Sequence, residues 1–387
     1  MNNIPEGWRK VKFGDVVNRV KDEESDRSKW NTDKYVSGEH ISSREIRIDD
    51  YGSIEEDEWV IGSAFKSKFK PGDVLYVTRR AYLRKGGMVD FEGICSDVTY
   101  VLRADENQLL QSLLPFIIQL EDFVKHTCNN AHGSTNPFLN WKDIAKYEFY
   151  LPPLEEQKKI SEVLWSVEEN IERATDLHHN KIIIKNKILK EIVNKSKDSD
   201  KICLKDIVDI TMGQSPPSSA YNSEKKGLPF FQGKSDFGEK YPVIKTYTSE
   251  ITKSSEPDSI LFTVRAPVGE LNYCNVKSCI GRGLASISPK KGHLLNYVYY
   301  VLEALKKDIV RISQGTTFEA ISSNELKQFK VKPVSEEYEK KITKILDKIY
   351  FDLERCNKNT SVLKSLRNKL LNELLLGKLK LEDQNVQ

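Results

Sequence analysis

One apolar stripe occurs twice in this chain, and that repeat constrains the fold more than any other feature. Ile160, Leu164, Val167, Ile171 and Ala174 alternate steps of four and three, which keeps them on one face of a long helix. Adding 182 to each position gives Ile342, Leu346, Ile349, Leu353 and Cys356, the same stripe again. The match extends to polar positions, with Lys158-Lys159 matching Lys340-Lys341, Glu172-Arg173 matching Glu354-Arg355, and Asn186-Lys187 matching Asn368-Lys369. Amphipathicity does not demand an Asn at the same place twice, so duplication accounts for the identities. The spacing predicts two long helices, from about residue 155 to 195 and from 335 to 376. We expect them to pair antiparallel through their stripes. The seam would then set Ile160, Leu164, Val167 and Ile171 against Ile342, Leu346, Ile349 and Leu353.

The two halves that precede these helices are also alike. Residues 10–20 read as a short strand-and-turn opening whose counterpart is 201–211, with Asp15 matching Asp206. Pro71-Gly72-Asp73 signals a turn before the β-branched and aromatic strand 74–79, and Pro257-Asp258-Ser259 precedes strand 260–265. Residues 94–102 and 280–288 pair as a second strand region. Residues 109–125 and 294–311 read as helices, the first interrupted or bent at Pro115. A loop rich in Gly and Thr follows in each half, His132-Gly133-Ser134-Thr135 and Gln314-Gly315-Thr316-Thr317, and a strand then leads into the long helix. Residues 21–69 show few clear periods and read as loops and short strands. The linker 196–200 and the tail after 381 lack the apolar content to fold alone, and Gly377 is placed to cap the second long helix. A chain of 387 residues is long enough for two such cores.

Most catalytic chemistry is missing. The six cysteines include no C-x-x-C pair and the histidines are not spaced with them as zinc ligands, so we expect reduced thiols and no metal site. The N-terminus is polar where a signal peptide is apolar, and no apolar run approaches a membrane span, so a soluble, cytoplasmic protein is expected. The segment ending Gly233-Lys234-Ser235 has five residues between its glycines where a phosphate-binding loop needs four, and Pro229 with two Phe replaces small residues. Pro152-Pro153 lacks the Asp or Asn and the aromatic neighbour that an adenine methyltransferase uses to hold a flipped base. Glu155-Glu156 and Glu336-Glu337 sit where carboxylates complement a helix dipole. His178-His179 reads as an exposed or seam pair. No catalytic residue is assigned.

With 60 Lys and Arg against 57 Asp and Glu, any nucleic-acid surface must be local. One candidate is Lys66, Lys68, Lys70, Arg79, Arg80, Arg84 and Lys85, interrupted by a single acid, Asp73, and interleaved with Phe65, Phe69, Tyr76 and Tyr82. Such a cluster neutralises phosphates while Arg reads guanine edges; an ordinary solvated face is the alternative. Arg79 and Arg265 end the best strand of each half. An Arg on a buried strand face is costly without a partner, so each belongs at a rim, facing DNA or held in an intradomain salt bridge. Gln232, Lys234 and Arg282 are the next candidates in the second half.

Several stretches together resemble the specificity subunit of type I restriction-modification systems. Ile4-Pro5-Glu6-Gly7-Trp8 is similar to the family's opening, and Leu151-Pro152-Pro153-Leu154-Glu155-Glu156-Gln157-Lys158-Lys159-Ile160 to its central region. Met212-Gly213-Gln214-Ser215-Pro216-Pro217-Ser218, Phe231-Gln232-Gly233 and Gly315-Thr316-Thr317 resemble its second recognition domain. Pro333-Val334-Ser335-Glu336-Glu337-Tyr338 departs from the usual proline pair and Gln.

The resemblance implies an α+β fold, with two pseudo-symmetric mixed α/β target recognition domains separated by two long antiparallel coiled-coil helices. The expected limits are 1–150 and 200–334 for the recognition domains, 151–199 and 335–381 for the spacer helices, and 382–387 for a flexible tail. It implies a non-catalytic subunit that reads a bipartite double-stranded DNA target. Gln214, Ser215, Thr316 and Thr317 join the DNA-facing candidates on this ground. Two modification subunits would bring S-adenosylmethionine-dependent adenine methylation, and restriction subunits ATP- and Mg-dependent translocation and cleavage; this chain would bind no cofactor itself. Two other classes stay open, a coiled-coil adaptor without DNA affinity and a nuclease with an unrecognised site, as does the specificity subunit of a methyltransferase-only or other bipartite-site system.

Overall fold

The computed structural model describes residues 4–59, 61–194, 201–313 and 319–379. The linker 196–200, the tail 382–387 and the candidates Thr316 and Thr317 lie outside the described residues. The chain divides into two compact units, residues 1–174 with 359–387, and residues 175–358. Both long helices, Leu154–Asn194 and Glu336–Leu375, contribute to each unit.

In the first unit, β1 (Arg9–Lys12) pairs antiparallel with β9 (Glu148–Leu151), the strand that delivers the chain into the first long helix. A helical turn, Phe13–Val16, separates β1 from β2 (Val17–Val20), so the opening expected from sequence is two strands with a buried turn between them. β2, β8 (Thr99–Ala104), β5 (Val74–Val77) and β6 (Gly86–Val89) form an antiparallel sheet in that order, edged by the two-residue strand Arg47–Ile48. All four residues of β5 are buried, which fits its unbroken Val-Leu-Tyr-Val run. A second sheet contains β3 (Lys34–Val36), β7 (Gly93–Ser96) and β4 (Phe65–Phe69), with β3 and β7 parallel.

The region 94–102 is therefore not one strand. The chain leaves one sheet at Ser96, turns, and enters the other at Thr99. Alternation cannot register a change of sheet when both strands are buried on both faces. The helical region 109–125 is likewise divided, into Leu114–Ile117 and Glu121–Asn129. Pro115 sits in the first turn of the earlier helix, where its missing N–H costs nothing, and the break falls after it. The buried Gln119 fills that break, donating to the Gly86 carbonyl at 2.9 Å.

The second unit repeats the plan. β10 (Ile202–Cys203) pairs with β17 (Lys330–Val331), and a turn, Leu204–Ile207, leads into β11 (Val208–Met212). β11, β16 (Leu284–Pro289), β13 (Ser259–Thr263) and β14 (Leu271–Cys274) form the antiparallel sheet. β12 (Leu228–Phe231) runs parallel to β15 (Ser278–Ile280) in the second sheet. Residues 280–288 change sheet as 94–102 do. The helix here is continuous, Leu295–Ser313.

The long helices run antiparallel, as each unit shows by itself. In the first, Ile160 and Leu164 share a core with Leu371 and Leu374, and Glu168 pairs with Arg367 at 2.8 Å. In the second, Leu189 and Ile192 share a core with Leu346, against which Ile342 and Ile349 pack, and Lys181 meets Asp352 at 2.7 Å. The expected meeting of the Ile160 stripe with the Ile342 stripe does not occur. Antiparallel pairing places Ile160 and Leu164 in the first unit's core and Leu346 in the second's, so the beginnings of the two stripes do not pair with each other. Each stripe instead fastens its helix to the adjacent globular core. Ile171 and Leu353 are buried, while Val167 is half-buried. Gly377 ends the second helix with a left-handed φ of 65°; its N–H bonds to Leu374 and that of Lys378 to Glu373, a Schellman closure.

Candidate nucleic-acid interface

In the second unit the chain turns from β15 to β16 through Gly281, Arg282 and Gly283, and three other segments meet there. The Gly281 N–H donates to the Phe231 carbonyl (2.8 Å), the Arg282 N–H to Ser215 Oγ (3.2 Å), and the Val264 N–H to the Gly283 carbonyl (3.0 Å). A Cβ on Gly283 would lie 2.3 Å from the Gln232 carbonyl oxygen, and one on Gly213 would lie 2.2 Å from that of Gly281. Only glycine permits these approaches. The corner thus gathers Gln214, Ser215, Gln232 and Arg282, although they lie up to 68 residues apart.

Arg265 stands beside this corner, exposed, just past the end of β13. It forms an isolated bridge with Ala320, while the Ala266 N–H donates to the Glu319 carbonyl at 3.1 Å. Lys234 is engaged instead: its ammonium meets Glu270 at 2.9 Å, and Lys306 meets the same carboxylate at 2.7 Å. Burial pushes the Glu270 carboxyl up, but the Lys306 and Lys234 charges outweigh it and hold the group below its ordinary range.

The first unit builds the same rim. The Thr78 N–H donates to the Val98 carbonyl (2.9 Å), Leu139 N–H to the Thr78 carbonyl (3.0 Å), and Arg80 N–H to the Pro137 carbonyl (2.7 Å). In the second unit Val264, Gly283, Ile321, Ala266 and Glu319 make the corresponding three bonds. Arg79, bridged to Phe138, therefore occupies the position of Arg265. Both are exposed, and neither has an ion-pair partner among the described residues.

Other members of the basic cluster are placed differently. Arg84 makes a two-pronged contact with Glu121, with its side chain only 12% exposed, and this holds the Glu121 carboxyl low. Lys66 meets Glu23 at 2.7 Å and depresses that carboxyl too. Lys68 is half-buried on β4, and Arg80 donates to Asn136 Oδ1 at 3.2 Å. Asp73, the lone acid in the run, is buried in a bidentate pair with Arg103. Of the cluster's named Arg and Lys, Arg79 and Arg80 remain exposed at the rim; Lys70 is exposed too, but in the turn before β5, at the other end of that strand. Sequence reasoning missed Ser37 and Asp97, which occupy the first unit's corner where Gln232 and Arg282 stand in the second. No single sequence offset finds them, since Thr78 and Val264 are 186 apart, Asp97 and Arg282 185, and Ser37 and Gln232 195; the strand pairings do.

Among the described residues, no group of three or more His, Cys, Asp or Glu is arranged to hold a metal, and no helix is long and apolar enough to cross a membrane.

Comparison with known proteins finds the duplication of the two halves. The family model for the type I restriction modification DNA specificity domain matches twice, over residues 5–185 and 196–364. The MjaX protein of Methanocaldococcus jannaschii, assigned as a type I restriction enzyme specificity subunit, is 29% identical over 413 residues, covering 99% of this chain and 96% of that protein. A solved chain described under "complex assembly and conformational transition of the type I R-M system" is 28% identical with a TM-score of 0.62, covering 98% of this chain and all of the other. The HsdS subunit from Thermoanaerobacter tengcongensis is also 28% identical, with a TM-score of 0.51 and coverage of 97% and 98%. This chain belongs to the family of type I restriction-modification DNA specificity subunits, with one copy of the specificity domain in each half.

Proposed function

We propose that the chain reads a bipartite DNA target, one half-site per globular half, and does no chemistry of its own. The observation that carries this reading is the pair of equivalent rims. Just past a fully buried strand, each presents an exposed Arg without an ion-pair partner among the described residues, flanked by the same three backbone bonds. An exposed Arg at a fixed backbone position suits a phosphate or a base edge. The DNA-facing residues are then Arg79 and Arg80 in one half, and Arg265, Arg282, Gln214, Ser215 and Gln232 in the other, joined by Thr316 and Thr317. Recognition domains of 1–150 and 200–334 divide the labour, and the long helices carry the surfaces for partner subunits.

Two modification subunits would supply S-adenosylmethionine and adenine methylation, and restriction subunits ATP- and Mg-dependent cleavage, in the cytoplasm. The relative's description as part of an assembling type I R-M system supports this. The test is binding of the full chain, with its modification subunit, to a randomised duplex pool over a range of salt. A split consensus, with an affinity falling log-linearly as salt rises, is expected. Absence of any selected sequence would return the adaptor reading, and metal-dependent cutting by the chain alone would return the nuclease.

A further inference from the structure

The two rims match in backbone and differ in charge at one corner. Thr99 opposes Val77 in the first unit, and Leu284 opposes Thr263 in the second. Counting back two residues aligns Asp97 with Arg282. The parallel pairs give the same answer independently, since Val36 opposes Cys95 and Phe231 opposes Ile280, and each corner residue follows two positions later. Both side chains are exposed, and neither has an ion-pair partner among the described residues.

A neighbouring position reverses with a compensating partner. Glu39 aligns with Lys234, and facing them Lys85 aligns with Glu270, as the bonds from Val77 N–H to the Lys85 carbonyl and from Thr263 N–H to the Glu270 carbonyl show. Lys234 meets Glu270 at 2.9 Å, while Lys85 reaches the Gly38 carbonyl next to Glu39. That reversal is settled within each half. The reversal at Asp97 and Arg282 has no such answering pair, although Lys66, paired with Glu23, lies close enough to Asp97 to feel its charge.

DNA presents the same phosphates to any reader, so a contact to the backbone calls for the same charge in both halves; Arg79 and Arg265 fit that requirement. A charge that inverts while the backbone stays the same fits a base edge. Guanine offers two acceptors, N7 and O6, to an Arg, while cytosine N4 and adenine N6 offer amino donors to a carboxylate. Resting on the DNA-reading function above, we propose that this corner carries a specificity-determining side chain in each half. Arg282 takes a guanine edge in one half-site, and Asp97 takes the exocyclic amino group of cytosine or adenine in the other.

The experiment selects a randomised duplex pool with the full chain and its modification subunit, for wild type, Arg282→Gln, Asp97→Asn, Asp97→Arg and Arg265→Gln. Both corner residues are exposed, and thermal unfolding confirms that each variant is folded. Arg282→Gln should lose at least about tenfold discrimination for guanine at one position and leave the other half-site untouched. Asp97→Asn should relax one position of the opposite half-site, and Asp97→Arg should move that position toward guanine. Arg265→Gln should weaken all sequences alike and reduce the salt slope by about one. If wild type selects a split site but Arg282→Gln and Asp97→Asn select it unchanged, or merely weaken every sequence, the corner is not a reader and the general function stands. If wild type selects nothing, the function and this inference both fall.

Discussion

Glu168 and Arg367 join the two long helices inside the first unit, and Glu168→Ala should expose what that junction contributes. Their side chains are 7% and 4% exposed and meet at 2.8 Å. Arg367 also donates to the Arg44 carbonyl at 3.0 Å, while its Nε finds no hydrogen-bond partner among the described residues. Removing the carboxylate leaves a buried guanidinium held by little more than a carbonyl. Breaking one side of such a pair costs about 3–5 kcal/mol. The retained Arg44 bond favours the lower end. So does relief of Glu45 and Glu172, whose carboxyls are pushed up chiefly by burial and also by the Glu168 charge.

A loss of about 3 kcal/mol corresponds to a fall of roughly 1–3 M in the urea midpoint at typical slopes. All five tryptophans lie in the first unit, so tryptophan fluorescence follows that unit alone. Replacing both partners, Glu168→Leu with Arg367→Met, should come out near neutral or better, because two desolvation costs vanish together. A single variant losing less than about 1 kcal/mol, or a double variant as unstable as the single, would refute the argument that the charge is stranded.

Three other substitutions test separate parts of the account. Gly283→Ala places a Cβ against the Gln232 carbonyl, so recognition of the second half-site should fail in pool selection while the first survives. Arg84→Ala removes a partner of Glu121; it should lower stability by about 1 kcal/mol and leave the salt slope of DNA binding unchanged, whereas a shallower slope would return Arg84 to the interface. Burial raises the Glu45 carboxyl above its unfolded value, so the folded state binds that proton more tightly and loses stability as pH rises from the unfolded value through the folded one. Glu45→Gln should therefore stabilise the first unit at pH 7, with the gain shrinking toward pH 4 in urea titrations; a gain that grew toward acid would reverse the sign of the argument.

The long helices were legible because a stripe alternating steps of four and three admits few other structures, and the repeat because polar identities such as Asn186 and Asn368 share its offset. The partner of each stripe was not legible. Ile160 reaches Leu371 rather than Ile342 because chain direction, which periodicity does not encode, decides which ends meet. The sheet changes fall at Asp97-Val98 and at Gly281-Arg282-Gly283, polar and glycine positions that mark a turn but do not reveal that the buried strands on either side belong to different sheets. Within the basic cluster, composition located the rim, but could not foresee that Arg84 would find Glu121, 37 residues away, or that Lys66 would find Glu23. The strands expected to end on Arg79 and Arg265 stop two residues short of them, at Val77 and Thr263, because a guanidinium without a partner is costly on strands as fully buried as these.

The most direct measurement replaces residues 20–150 with the corresponding region of a relative that reads a different target, expresses the hybrid with the modification subunit, and maps methylated adenines across the genome. Each rim is built from bonds within its own unit. The account predicts a new sequence in one half-site and the original sequence in the other. A change in both half-sites, or in neither, would contradict it.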